Sequence, residues 1–221
     1  MSPQVCALLV DATTETLLMV GISGTIATLL GLPLGVALAI TGRGDLSPCL
    51  AFNRLGGLLI NATRSTPFII LVVAIIPFTR LVTGTSIGTR AAIVPLIVAA
   101  TPFIARVVEA AIREVDRGLI EAANAMGATP LQVIVKVLLP EALPAIILGL
   151  TLAAVSLIGY SAMVGAVGGG GLGDLGIRYG YQRFLPDVMA AVVLVLIVLV
   201  QIVQSGGEWI ARRVNKRIIR S

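Results

Sequence analysis

The chain has 221 residues, of which 57% are hydrophobic and only 12% charged, and its mean hydropathy is +1.03. Soluble domains carry about 25% charged residues, so a water-exposed globule is excluded and long apolar stretches must face lipid. The net charge of +5 does not point to nucleic acid: five of the sixteen basic residues (Arg212, Arg213, Lys216, Arg217, Arg220) crowd the last ten positions, beside an apolar run, where they act as a topology signal.

The first twenty residues contain no Lys or Arg, so no cleavable signal peptide is expected. A helix needs about 20 apolar residues to cross the hydrocarbon core. The first such run is 17–41, "LLMVGISGTIATLLGLPLGVALAIT", whose glycines and proline a membrane helix tolerates. A polar loop with Arg43, Asp45, Pro48 and Arg54 follows. The second run is 65–82, with Arg64 expected at the membrane boundary; the third is 91–108, the fourth 143–167 and the fifth 188–210. The expected fold is therefore all-α: one polytopic membrane domain over 1–221, with five transmembrane helices and a cytoplasmic helix-turn-helix between spans three and four. With the N-terminus outside and the C-terminus inside, Arg43, Arg54, Arg64, Arg106, Arg113, Arg117, Lys136 and the five tail residues lie on the inner side. Only Arg80, Arg90, Arg178 and Arg183 remain outside, so twelve positive charges face four. Cys6 and Cys49 then lie on opposite sides of the membrane and cannot pair.

Between the third and fourth spans, Leu119, Ala123 and Met126 share one helical face, and Gly127 is a candidate C-cap. "TPLQ" at 129–132 opens a second helix, with Thr129 as N-cap, Pro130 at N1 and Gln132 closing a capping box. Leu131, Val135 and Leu138 form its apolar stripe; Pro140 and Pro144 interrupt it. On pattern alone, this segment is equally a loop resting on the lipid surface.

"EAANAMG", nine further residues and "VLLP" resemble the signature of the inner-membrane permease subunits of ABC importers: Glu121, Ala122, Ala123, Gly127, Leu139 and Pro140 match it, and Val137 stands where that family has Ile. The stretches "RSTPFIILVVAIIPFTR" (64–80), "GTSIG" (84–88), "PFIARVVE" (102–109) and "GYSAMVGAVGGGGLG" (159–173) are similar to the methionine-importing branch of that family. The resemblance implies a bacterial inner-membrane protein whose segment 117–140 is a coupling helix docking on a cytoplasmic ATPase. It also implies two such ATPase subunits, which bind the ATP and Mg, and an extracytoplasmic methionine-binding protein. No cofactor is expected on this chain.

The residues agree that any ATP chemistry lies elsewhere. There is no Gly-x-x-x-x-Gly-Lys-Ser/Thr loop. "GGGGLG" at 168–173 fits Gly-x-Gly-x-x-Gly but follows a membrane span, and reads as a flexible turn allowing close approach. His is absent and Cys numbers two, so neither a metal centre nor an enzyme active site is expected. No acidic residue lies deep in a span, against a proton-driven carrier. Arg106 and Glu109, at i and i+3, are expected to brace helix ends. Ser156, Tyr160 and Met163 recur at helical spacing with Ser161 among them, and are candidates to line a passage; the alternative is that the serines aid helix packing and Met163 fills a gap. Five spans enclose too little volume for a passage, which predicts a homodimer with the path on its two-fold axis. Permeation of another solute, such as a quaternary ammonium compound, is the alternative reading; the 4% aromatic content speaks against cation–π recognition of that kind, and a passive channel is a further one.

Overall fold

The structure, a computed structural model, describes residues 3–42 and 46–215, and these contain helices and no strand. In chain order the helices are α1 (Pro3–Ile40), α2 (Leu50–Ser65), α3 (Phe68–Ala74), α4 (Ile76–Thr83), α5 (Thr89–Arg113), α6 (Arg117–Ala125), α7 (Pro130–Val133), α8 (Leu139–Ala166), α9 (Gly171–Leu175) and α10 (Pro186–Val214). Wide π-type turns at Ile134–Leu138 and Gly176–Tyr181 join α7 to α8 and follow α9. Four helical stretches are long and apolar enough to cross a membrane: Gln4–Ile40, Thr89–Arg113, Pro130–Ala166 and Pro186–Val214. A fifth candidate is the pair α2 and α3, bent by 104° at the break between them.

Three predicted boundaries differ. The fourth run belongs to a helical stretch that begins at Pro130 rather than at 143, with Pro140 and Pro144 lying within it instead of interrupting it. The first helix starts fourteen residues before the predicted Leu17, because neither Pro nor Gly occurs between Gln4 and Val20 to stop it, and because Val5, Leu8, Leu9 and Ala12 pack against Leu172, Val188 and Val192. At 38 residues it is about 57 Å long, well beyond a ~30 Å hydrocarbon core. The run 65–82 is not one helix. Pro67 has no N–H and disfavours a helical Thr66, which is extended (φ −82°, ψ 125°), so the chain turns there. A second break at Ile75 separates α3 from α4. The predicted inner charges Arg43, Lys216, Arg217 and Arg220 lie outside the described residues.

α5 is the hub. Its Leu96, Ile104, Ala105 and Val108 are almost wholly buried, between α1 on one side and α8 on another. Apolar side chains gain little by leaving lipid for each other, so such helices associate where small residues let backbones approach. A Cβ on Gly35 of α1 would stand 2.5 Å from the Ala105 carbonyl oxygen, and one on Gly149 of α8 would overlap the Val107 side chain. Gly149→Leu must therefore separate α5 from α8. We expect it to destabilise by at least about 3 kcal/mol, as overpacking of a dense interior does, and to leave little monodisperse protein on size-exclusion chromatography, whereas Gly159→Ala, with open space at its Cβ, behaves as wild type.

Candidate functional site

The insertion between α5 and α8 is held by local chemistry at each end. Asp116 caps α6, its Oδ1 accepting from the Gly118 N–H at 2.7 Å. Gly127, at φ +79°, turns the chain out of α6. Thr129 and Gln132 then form the reciprocal capping box: the Thr129 N–H donates to Gln132 Oε1 at 2.9 Å, and the Gln132 N–H donates to Thr129 Oγ1 at 3.4 Å. Past α7, the Leu139 N–H donates five residues back, to the Ile134 carbonyl. Pro140 cannot continue an ordinary ladder, because it has no N–H and its ring crowds the carbonyl four residues earlier; the wider turn accommodates it.

The apolar faces of this insertion lie differently from the predicted stripes. Ala123, Val133 and Leu138 are buried against the bundle, but Met126 is 82% exposed, Leu131 69% and Val135 53%. Each predicted stripe is split: Ala123 and Leu138 turn inward together with Val133, while Leu119, Met126, Leu131 and Val135 face outward. Of the matched signature residues, Glu121, Ala122, Gly127 and Pro140 are exposed, Leu139 is half-buried and Ala123 buried.

Just above the insertion, Glu109 is the one buried charged residue among the described residues. Its Oε2 accepts from Arg106 Nη1 at 2.6 Å and its Oε1 from Arg113 Nη2 at 3.0 Å. Nη2 of Arg106 reaches across to α2, donating to the Gly57 carbonyl at 3.2 Å and to Asn61 Oδ1 at 2.9 Å. The predicted brace is present, and it joins two helices rather than one.

A cavity of about 210 Å³ opens at the α2–α3 bend, lined among others by Thr63, Arg64, Thr66, Phe68, Phe103 and Tyr160. Phe68 and Tyr160 stack at 4.4 Å with their planes 17° apart. The Arg64 guanidinium lies 5.9 Å from the centre of the Phe103 ring. Tyr160 alone of the four predicted passage residues lines this cavity. The Ser156 hydroxyl donates to its own helix at Leu152 (2.9 Å) and the buried Ser161 hydroxyl to Ile158 (2.7 Å), while Met163 is 48% exposed and does not line the cavity. Arg64, expected at the membrane boundary, lines this cavity beside Ala99 and Phe103 of α5. α5 is 25 residues, about 37 Å, and Ala99 and Phe103, which share the cavity with Arg64, stand within about 3 Å of its midpoint. The polar set Asn61, Thr63, Arg64 and Ser65 was the available signal, since it marks a polar end to a helix whose preceding residues are apolar.

At the opposite end, the glycine-rich turn is stapled rather than free. Gly168, Gly170 and Gly171 all have positive φ. The Gly171 N–H donates to Glu15 Oε2 at 2.7 Å, the Leu172 N–H to Thr16 Oγ1 at 2.9 Å, and the Gly88 N–H to the Gly168 carbonyl at 2.9 Å. A side chain at Gly171 would meet Thr16 and Met19 within 2.7 Å, so close approach is what the glycines allow.

Residues 31–219 match the model of the family described as the binding-protein-dependent transport system inner membrane component. The chain belongs to this family. Within the family, the chain is 56% identical over 210 residues to the probable D-methionine transport system permease protein MetI of Vibrio cholerae, covering 95% of this chain and 93% of that one. It is 52% identical over 165 residues to the D-methionine transport system permease protein MetI of Escherichia coli K12, covering 75% and 76%. Its fold superimposes, with a TM-score of 0.96 and 50% identity, on a chain of the inward-facing MetNI methionine ABC transporter, covering 98% of this chain and all of that one. As an inner membrane component of a transport system, this permease is a transport subunit rather than an enzyme.

Proposed function

We propose that the chain is the permease subunit of an ATP-driven methionine importer of a bacterial inner membrane, with segment 117–140 as its docking element for the ATPase. The observation that carries this reading is the insertion itself: two short helices, each with a side-chain N-cap, carrying the matched Glu121, Ala122, Ala123, Gly127, Leu139 and Pro140 and turning Leu119, Met126, Leu131 and Val135 away from the bundle. An exposed apolar set on a rigid, polar-rimmed element is what a partner surface needs.

In this reading two copies assemble around a shared path, two ATPase subunits hold ATP and Mg, and an extracytoplasmic methionine-binding protein delivers solute at the Glu15–Gly171 end. The insertion is cytoplasmic, as the positive charges favour, and the N-terminus lies outside. Closure of the ATPase pair displaces both insertions, and the continuous helical stretch from Pro130 to Ala166 carries that displacement into the membrane, with the π-type turn as the junction. The passage passes Tyr160. The test is uptake of radiolabelled methionine by vesicles containing the complex and its binding protein. Accumulation that requires internal ATP supports the reading; uptake indifferent to ATP, or none, overturns it.

A further inference from the structure

We propose that Arg64 is an intramembrane receptor for the carboxylate of the transported amino acid, at the cavity where α2 bends into α3. The inference rests on the importer reading above and adds the residue and the ligand group. Arg64 lies in the bent helix pair that is a candidate broken span, and a cation within a span is costly and turns toward protein or a water-filled path rather than lipid. Arg64 is exposed in this chain, its guanidinium stands 5.9 Å from the centre of the Phe103 ring, and it has no carboxylate in ion-pair distance among the described residues. Its forked guanidinium thus keeps donors free for a carboxylate, which it matches with two parallel hydrogen bonds.

The rest of the cavity is complementary to the other parts of such a solute. The Thr63 hydroxyl already donates to the Leu59 carbonyl (3.0 Å) and the Thr66 hydroxyl to the Ala62 carbonyl (3.1 Å), so toward a ligand both oxygens can only accept, as an ammonium group requires. The stacked Phe68 and Tyr160 rings form an apolar wall suited to a thioether, which makes favourable contacts with aromatic rings. The cavity volume of about 210 Å³ equals roughly seven waters, the scale of one small amino acid.

The test is equilibrium binding of radiolabelled methionine to the purified permease–ATPase complex without the binding protein, with uptake by the complete system measured on the same preparation. Unlabelled methionine should compete, and methioninamide, which lacks the carboxylate, should compete at least tenfold less well. Arg64→Gln should weaken binding about ten- to a hundredfold, and Arg64→Lys should recover part of it, while ATPase co-purification stays as in wild type. Equal competition by methioninamide on the wild-type complex overturns the assignment even if the variants fail to assemble, as does unchanged binding by Arg64→Gln or the absence of saturable binding. Loss of ATP-driven methionine uptake by the wild type overturns the importer reading instead, so the two failures are distinct.

Discussion

Glu109→Ala should yield a permease that assembles poorly. The carboxylate has both oxygens engaged, by Arg106 and Arg113, and is itself almost wholly buried. Removing one partner of a buried ion pair costs about 3–5 kcal/mol, because the surviving charge is left unpaired. Here two guanidiniums survive, but they are only partly buried, at 26% and 51% side-chain exposure, so a cost of about 2–3 kcal/mol is the better expectation. At about 2–4 °C per kcal/mol for a chain of this size, the melting temperature of the purified complex should drop by about 4–12 °C. Arg106→Lys separates the two halves of the brace. A lysine can keep the charge pair with Glu109, but it cannot fork to the Gly57 carbonyl and Asn61 as well. It should be milder in stability, by about 1 kcal/mol, and methionine taken up per ATP hydrolysed should drop at least twofold, because α2 is no longer tied to the helix that leads into the insertion. Wild-type melting for Glu109→Ala, or an unchanged transport-to-ATP ratio for Arg106→Lys, would show that this brace carries neither load.

Gly127→Trp should abolish ATPase capture while leaving the membrane portion intact. Apart from its two chain neighbours, no atom of the described residues stands within 4 Å of a Cβ placed at Gly127, so the bundle has room for the ring. The φ of +79° imposes a backbone cost of about 1–2 kcal/mol on any residue with a Cβ. A docking partner sees something else: a bulky side chain on the exposed turn of the insertion, where Glu121, Ala122 and Met126 are exposed as well. Disrupting the centre of an interface commonly costs more than 2 kcal/mol, so affinity-tagged ATPase should recover less than a tenth of the wild-type permease. Gly127→Ala is the control, with the same backbone cost and little bulk, and it should retain most of the ATPase. If Gly127→Trp co-purifies with the ATPase like wild type, the docking face lies elsewhere on the molecule.

Both predictions concern residues the sequence had already singled out, yet their settings were legible to different degrees. The caps of the insertion could be read directly, because a capping box is a matter of four consecutive residues, and Thr129 and Gln132 make both of its hydrogen bonds. The outward face could not be read. Leu131, Val135 and Leu138 fit one apolar stripe, yet only Leu138 of the three is buried, and Val133, outside that stripe, is buried with it by tertiary packing. The same holds for the predicted passage residues: helical spacing placed Ser156, Tyr160 and Met163 together, but the partner ring at Phe68 drew Tyr160 alone into a cavity.

The amino-acid sequence alone determined that this is a helical membrane protein, roughly where its long helices lie, and that a capped polar-faced insertion interrupts them. Those properties follow from composition, runs of about 20 apolar residues and contiguous capping residues, all of which act over a few turns of chain. Tertiary structure decided that Arg64 shares a cavity with Phe103 and Tyr160, that Arg106 ties α5 to α2, and that the glycine turn is pinned by Glu15 and Thr16, 156 residues away. Such pairings depend on which helix lies beside which, and in lipid that choice is made by small residues and close approach, a form of complementarity that hydropathy does not record.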